Sequence, residues 1–317
     1  MNLQSLKATE LIKKVAVKYT FIVVASTALF SACTDPSSVL SPSDVVKEIP
    51  VQNNPTDTAT QTSNGTSEIV TEEQETIMWS GRKWRVRNSS QFTGPGLNVF
   101  SNRRGNVWVD TDGNLHLKVT YRDGKWWSAE VLSDETFGYG DYKFLLSSRA
   151  DKLDKNIVLG LFTWNNNSFQ SDANSEIDIE FAKWGYENSQ AVNYAVQPSN
   201  WGKYTERDVK ATGFNLTQNL STHGFSWRPT GVDFTSYYGH TSSTPASSWN
   251  FANTMQARRK VEGGRTSDAV VIPKPGTLTR VHINLWLNDT NNDGYGDAPS
   301  NGQEAEVILK GFEYTAY

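Results

Sequence analysis

From Trp79 onward the chain is written in short alternating or apolar runs, among them Gly105–Val109, Leu115–Val119, Gly140–Leu146, Ile157–Trp164 and Val281–Leu287. Side chains that change face at every second residue fit a strand, whereas a helical face recurs every ~3.6 residues. Turns rich in Gly, Asn and Asp separate the runs, with Asp112-Gly113-Asn114 and Arg122-Asp123-Gly124 as the clearest punctuation. No long stretch has helical spacing. The chain is therefore expected to form one all-β domain of roughly 240 residues, a sandwich or a barrel.

One run breaks the usual rule for an exposed strand face. In Asn174-Ser-Glu-Ile-Asp-Ile-Glu-Phe181 the acids Glu176, Asp178 and Glu180 occupy alternate positions, with Ile177, Ile179 and Phe181 between them. Three like charges on one face repel, so a strand shaped for stability alone would carry Thr, Lys or Gln at some of these positions. Over four residues a strand advances roughly 13 Å, and two glutamates leaning together could bring their carboxyls to roughly 5–6 Å, the separation of a retaining glycosidase. In such a reaction one carboxylate attacks the anomeric carbon while the other starts protonated and donates to the leaving oxygen. Asp178, between them, can hold one Glu in place and raise the proton affinity of the other. The same pattern is also open to a solvated polar strand face or a three-acid calcium site.

The acid strand resembles the active-site signature of glycoside hydrolase family 16, which includes bacterial lichenases and laminarinases, and flanking segments agree in order. Upstream lie Ser128-Ala-Glu-Val-Leu-Ser133 and Phe137-Gly-Tyr-Gly-Asp-Tyr142; downstream lie His223-Gly-Phe-Ser-Trp227, Val232-Asp-Phe234 and Ile283-Asn-Leu-Trp286. The resemblance implies a jelly-roll sandwich of two curved antiparallel sheets, with Glu176 as nucleophile, Asp178 as its assistant and Glu180 as acid/base. No residue is inserted before the second Glu, so the spacing is similar to the lichenase and xyloglucan-transferase branch. Where lichenases carry an Arg two residues after the Glu of the Ala-Glu pair, this chain has Leu132.

Binding candidates surround that strand. Eleven Trp in 317 residues suit stacking on sugar rings, and Trp164, Trp184, Tyr194, Trp201 and Trp286 lie in or beside the flanking segments. Asn193 and Gln197 could orient hydroxyls, and Glu130 matches the Glu of the Ala-Glu pair as a sugar hydroxyl acceptor. His223 stands in a conspicuous run, but the carboxylates already supply acid and base, so it is read as a half-buried structural histidine. Asp289, Asn291, Asp293 and Asp297 space oxygens as a calcium loop would, yet Ser300 stands where an EF-hand needs Glu. A structural calcium or a plain Asn/Asp/Gly turn both fit, and the reaction requires no cofactor.

The amino-terminal quarter has another character. Residues 1–33 read as an export signal: Lys7, Lys13, Lys14 and Lys18 precede an apolar run from Tyr19 to Ala32, and Leu29-Phe-Ser-Ala-Cys33 resembles a lipobox that would lipidate Cys33. Cys33 is the sole cysteine, so no disulfide staples the domain. Residues 34–76, rich in Ser, Thr, Pro, Asp, Asn and Gln, read as a disordered tether, leaving 77–317 as the catalytic domain. A net charge of −4 without a basic cluster argues against nucleic acid. The expectation is an exported, monomeric bacterial lipoprotein of the cell envelope, at the outer membrane, surface or periplasm. It would act on polysaccharide as a retaining endo-β-glucan hydrolase, with a transglycosylase or a non-catalytic carbohydrate-binding protein as alternatives.

Overall fold

The computed structural model describes residues 72–166, 175–197, 208–258, 265–270 and 272–317. Among them no α-helix is present, and two large antiparallel sheets account for most of the strands. The first sheet runs β1 (Thr76–Trp79), β2 (Arg82–Val86), β8 (Ala129–Ser133), β19 (Arg280–Leu287), β10 (Ile157–Trp164), β11 (Ile177–Phe181), β12 (Val192–Val196) and β13 (Asp208–Thr212). The second runs β16 (Ser247–Ala252), β15 (Gly231–Tyr238), β14 (Leu220–Arg228), β9 (Gly140–Ser147), β20 (Ala305–Ala316), β6 (Leu115–Arg122) and β5 (Val107–Val109), with β7 (Lys125–Trp127) paired to β6. Two small pairs, β3 (Ser89–Thr93) with β4 (Asn98–Phe100) and β17 (Gln256–Arg258) with β18 (Arg265–Ala269), complete the set. This is the jelly-roll sandwich expected from the sequence.

The core lies between the sheets, where the alternate apolar residues of each strand meet. Trp84, Leu159, Leu161, Ile177, Ile179, Phe181, Tyr194, Ile283 and Leu285 from the first sheet join Leu115, Leu117, Phe144, Phe225, Trp227, Phe234 and Phe312 from the second. Rings cross the seam: Tyr194 stacks on Phe234 at 5.1 Å, and Trp84 meets Phe312 edge-on at 5.6 Å. Tyr194 also donates through its hydroxyl to Ser236 Oγ at 2.7 Å. It is a core residue and does not face any sugar site, which corrects its place among the stacking candidates. His223 is fully buried rather than half-buried. Its ring nitrogens meet Ser236 Oγ at 2.7 Å and Ser221 Oγ at 2.9 Å, and burial pulls its pKa down to about 3.

The turn signals hold. Asp123 and Gly124 both take positive φ, 54° and 77°, in the two-residue loop joining β6 to β7, the conformation that makes Asp-Gly a hairpin dipeptide. At the amino-terminal edge, residues read from composition as tether are engaged with the domain. Arg104 pairs with Glu72 at 2.6 Å, and Gln74 N–H donates to the Asn102 carbonyl. β1 itself begins at Thr76. Cys33 and the rest of the amino-terminal reading lie outside the described residues.

Candidate active site

Directly paired residues of an antiparallel sheet share a face, so the register of the first sheet places its side chains. The inner face carries Ile177, Ile179 and Phe181 into the core, and Glu176, Asp178 and Glu180 therefore project from the outer face. One row across that face reads Glu130, Asn284, Gly160, Glu180, Asn193. The next reads Leu132, His282, Phe162, Asp178, Ala195, and beyond it Arg280 and Trp164 face each other. Five strands, far apart in sequence, thus converge on the acids.

That face is sunk below the surface. Asp178 is 4% exposed and Asn284 and Asn193 1% each, whereas Glu176 and Glu180 keep partial access to solvent. The two outer acids can meet a substrate while the middle one is held by protein. Asp178 Oδ2 accepts from Gln197 Nε2 at 3.0 Å, and Gln197 N–H donates to the Glu176 carbonyl. Gln197 therefore fixes the middle acid, and its amide is engaged there. Asn193 Nδ2 donates to the Ala182 carbonyl at 3.1 Å.

Glycine opens the floor beside Glu180. A Cβ at Gly160 would stand 2.4 Å from Asn284 Oδ1, so the Asn284 amide lies over the bare backbone of β10. Asn284 Oδ1 is buried and without a hydrogen-bond partner in the protein, an acceptor one strand beyond the row's glycine. Sequence reading included Asn284 in the Ile-Asn-Leu-Trp run without singling it out, because only the register shows what lies beside it.

Glu130 sits in the same row but is closely engaged. Its carboxylate accepts from Arg87 Nη1 at 2.6 Å and meets His282 Nδ1 at 2.8 Å. Burial would push the carboxyl up, yet Arg87 and His282 outweigh it and bring its pKa down to about 2. Arg87 continues to the Gly94 carbonyl and stacks 4.0 Å over the Phe100 ring, tying the β3–β4 hairpin to the sheet. Neither Arg87 nor His282 was visible as a site residue in the sequence.

The aromatic candidates divide. Trp184 and Trp286 meet at 6.4 Å in a second apolar cluster with Phe100, Val158 and Ala182, at the end of the outer face nearest the hairpin. Both are largely buried, so they build that end of the recess. Trp164 is half-buried and donates to Asn166 Oδ1. Trp201 lies outside the described residues. In the Asp289–Asp297 loop, Asp297 Oδ2 accepts from the Thr290 and Asn291 amides at 2.6 and 3.0 Å, and Asp289 Oδ2 from Gly294 at 3.0 Å. Asn291 Nδ2 reaches Asp297 Oδ1 at 2.6 Å. These oxygens close the loop on its own N–H groups, while Asp289 Oδ1 is buried without a hydrogen-bond partner.

No protein-family model matches the chain. A β-glucanase of Acetivibrio thermocellus is 30% identical over 166 residues, which are 50% of this chain and 43% of that protein, so the chain spans less than half the length of this relative. The solved β-glucanase of Bacillus licheniformis superposes with a TM-score of 0.50 at 17% identity, over 78% of this chain and 96% of that one. A protein of Mycobacterium tuberculosis described as a pseudo β-1,3-glucanase gives 0.52 at 17%, over 78% and 97%. The likeness to family 16 carried by the acid strand is thus matched by the fold.

Proposed function

We propose that a chain with the fold of the family 16 glucanases and an intact row of acids is a retaining, endo-acting β-glucan hydrolase. The observation that carries this reading is the placement of Glu176, Asp178 and Glu180 on one recessed sheet face, with the outer two reaching solvent and the middle one held by Gln197. Fold alone does not carry it, since one neighbour of the same fold is described as a pseudo-glucanase.

In this mechanism the Glu176 carboxylate attacks the anomeric carbon and the glycosidic oxygen leaves as Glu180 delivers its proton. Glu180 then takes a proton from water, which attacks the glycosyl-enzyme and frees the sugar with its configuration retained. Asp178, oriented by Gln197, couples the two. Loss of the nucleophile's charge in the intermediate lowers the proton affinity of Glu180, so one residue serves as acid and then base. Around the acids, half-buried Trp164 supplies apolar surface for a sugar ring, buried Asn284 Oδ1 is an unused acceptor beside the row's glycine, and the buried Trp184–Trp286 pair closes one end of the recess.

The amino-terminal lysines, apolar run and lone Cys33 support export and lipidation, which would hold the enzyme at the cell envelope on a tether. Product analysis of the purified protein on lichenan and laminarin tests the hydrolase. New reducing ends of the substrate's own anomeric configuration are expected, and inverted product or none at all overturns the reading.

A further inference from the structure

The strand that carries the acids is entered through a strained residue. Among the described residues six besides glycine take positive φ, and Ser175, at 53°, is the one with no solvent exposure. A left-handed backbone is costly for any residue with a Cβ and persists only where surrounding contacts impose it. Ser175 stands directly before Glu176 in the chain.

The contacts that impose it come from two directions. Thr163 Oγ1 on β10 donates to the Ser175 carbonyl at 2.7 Å, and the Ser175 hydroxyl donates to the Lys274 carbonyl at 2.5 Å. Thr163 is as fully buried as Ser175. Lys274 belongs to a braced segment ahead of β19. Trp227 Nε1, from the core of the second sheet, donates to the Pro273 carbonyl at 2.9 Å, and Gly276 N–H donates to Thr279 Oγ1 at 2.8 Å. A Cβ at Gly276 would stand 1.6 Å from Asn165 Nδ2, so the same segment is pressed onto the residue that follows β10.

The sheet itself leaves this end of the strand to such a brace. Pairing between β10 and β11 covers Asp178, opposite Phe162, and Glu180, opposite Gly160, but ends at Thr163 and Ile177, one residue short of Glu176. From β12, Gln197 N–H reaches the Glu176 carbonyl at 3.2 Å. On its amino side the direction of Glu176 follows from the backbone of Ser175. Displacing a reacting group by about 1 Å costs roughly a hundredfold in rate, so a lock at this residue bears on turnover more than on capture of substrate.

We propose that Ser175 and Thr163 are positioning residues for Glu176: the Thr163 hydroxyl and the Lys274 carbonyl lock Ser175 in its left-handed conformation, and that lock aims the Glu176 carboxylate at the anomeric carbon. This rests on the glycosidase reading and deepens it.

Three variants of the full chain test the lock. Thr163→Val keeps the shape of the side chain and removes its donor, Ser175→Ala removes the bond to Lys274, and Thr163→Ser keeps the donor. On whichever of lichenan and laminarin the unmodified chain cleaves faster, the first two are expected to lower kcat about tenfold or more with KM within about twofold, while Thr163→Ser retains most of the parent kcat. Rates are read well below each variant's melting temperature. Lower melting with kcat unchanged overturns the proposal, because the two bonds would then hold the fold alone. So does a Thr163→Ser variant as slow as Thr163→Val. Crystal structures of the unmodified chain and Thr163→Val read the lock without turnover: a shift of the Glu176 carboxyl by about 1 Å, with Asp178 and Glu180 in place, is expected, and an unmoved Glu176 overturns the proposal. An unmodified chain that hydrolyses no glucan refutes the glycosidase reading, and the lock on Glu176 is then decided by these structures.

Discussion

Glu176 and Glu180 differ by four residues on one strand, yet their removal should have opposite stereochemical consequences. With Glu176→Ala turnover stops, and azide entering the vacated space attacks from the nucleophile's side to give product of inverted configuration. With Glu180→Ala the glycosyl-enzyme still forms from substrates with good leaving groups, and azide resolves it with retention. Determining the anomer of each glycosyl azide by NMR checks both, and wild-type rates in both variants would remove the acids from the chemistry. Glu130 makes a different prediction. Glu130→Gln leaves Arg87 and His282 without their shared carboxylate, which should cost about 3 kcal/mol in urea unfolding. A residue serving only as a sugar acceptor would leave stability unchanged and raise KM.

At the level of the strand, β10 and β11 act as a pair. β10 contributes the glycine that lets Asn284 lie beside Glu180, and β11 contributes the acids. Gly160→Ala should therefore push the Asn284 amide aside, lowering kcat/KM at least tenfold while costing about 1–3 kcal/mol of stability. Activity and thermal melts of one preparation read both effects, and a variant as active as the parent would show that Asn284 does not need its present position. The apolar end of the recess follows the same logic, since a Cβ at Gly96 would meet the Trp286 ring at 2.8 Å. The β3–β4 hairpin and that tryptophan are fitted to one another.

For the whole molecule, two fully buried groups contribute to the acid limit. His223 is held neutral by burial with a pKa of about 3, so between its ordinary value of 6.5 and that point the unfolded chain binds a proton that the folded chain refuses. Glu130, brought from 4.5 to about 2, does the same at lower pH. In both cases the unfolded state binds more protons, so stability is full above about pH 6.5 and declines as pH falls toward 2. Urea midpoints measured across this range should show the decline, and His223→Asn should flatten the part above pH 4.5 while leaving the Glu130 part. The amino-terminal edge also belongs to the fold. A chain starting at Trp79 loses β1 and the Glu72 and Gln74 contacts, and should melt several degrees below one starting at Glu72.

The sequence by itself determined what depends on neighbours along the chain. Period-two runs and Asp-Gly turns gave strands and hairpins close to those observed, such as Ile157–Trp164, and alternation in Glu-Ile-Asp-Ile-Glu put the three acids on one face and the apolar residues on the other. The folded chain decided everything that depends on register between distant strands. Glu130, Gly160, Glu180, Asn193 and Asn284 form one row although they span more than half of the domain, and Arg87 and His282 reach Glu130 from 43 and 152 residues away. Tyr194 and Asn193 are adjacent in sequence yet face the core and the recess, a choice set by which face of β12 packs on the second sheet. Local periodicity fixes which residues share a face of a strand. Only the packing of the two sheets fixes which face is buried, and only hydrogen-bond register fixes what lies beside each acid.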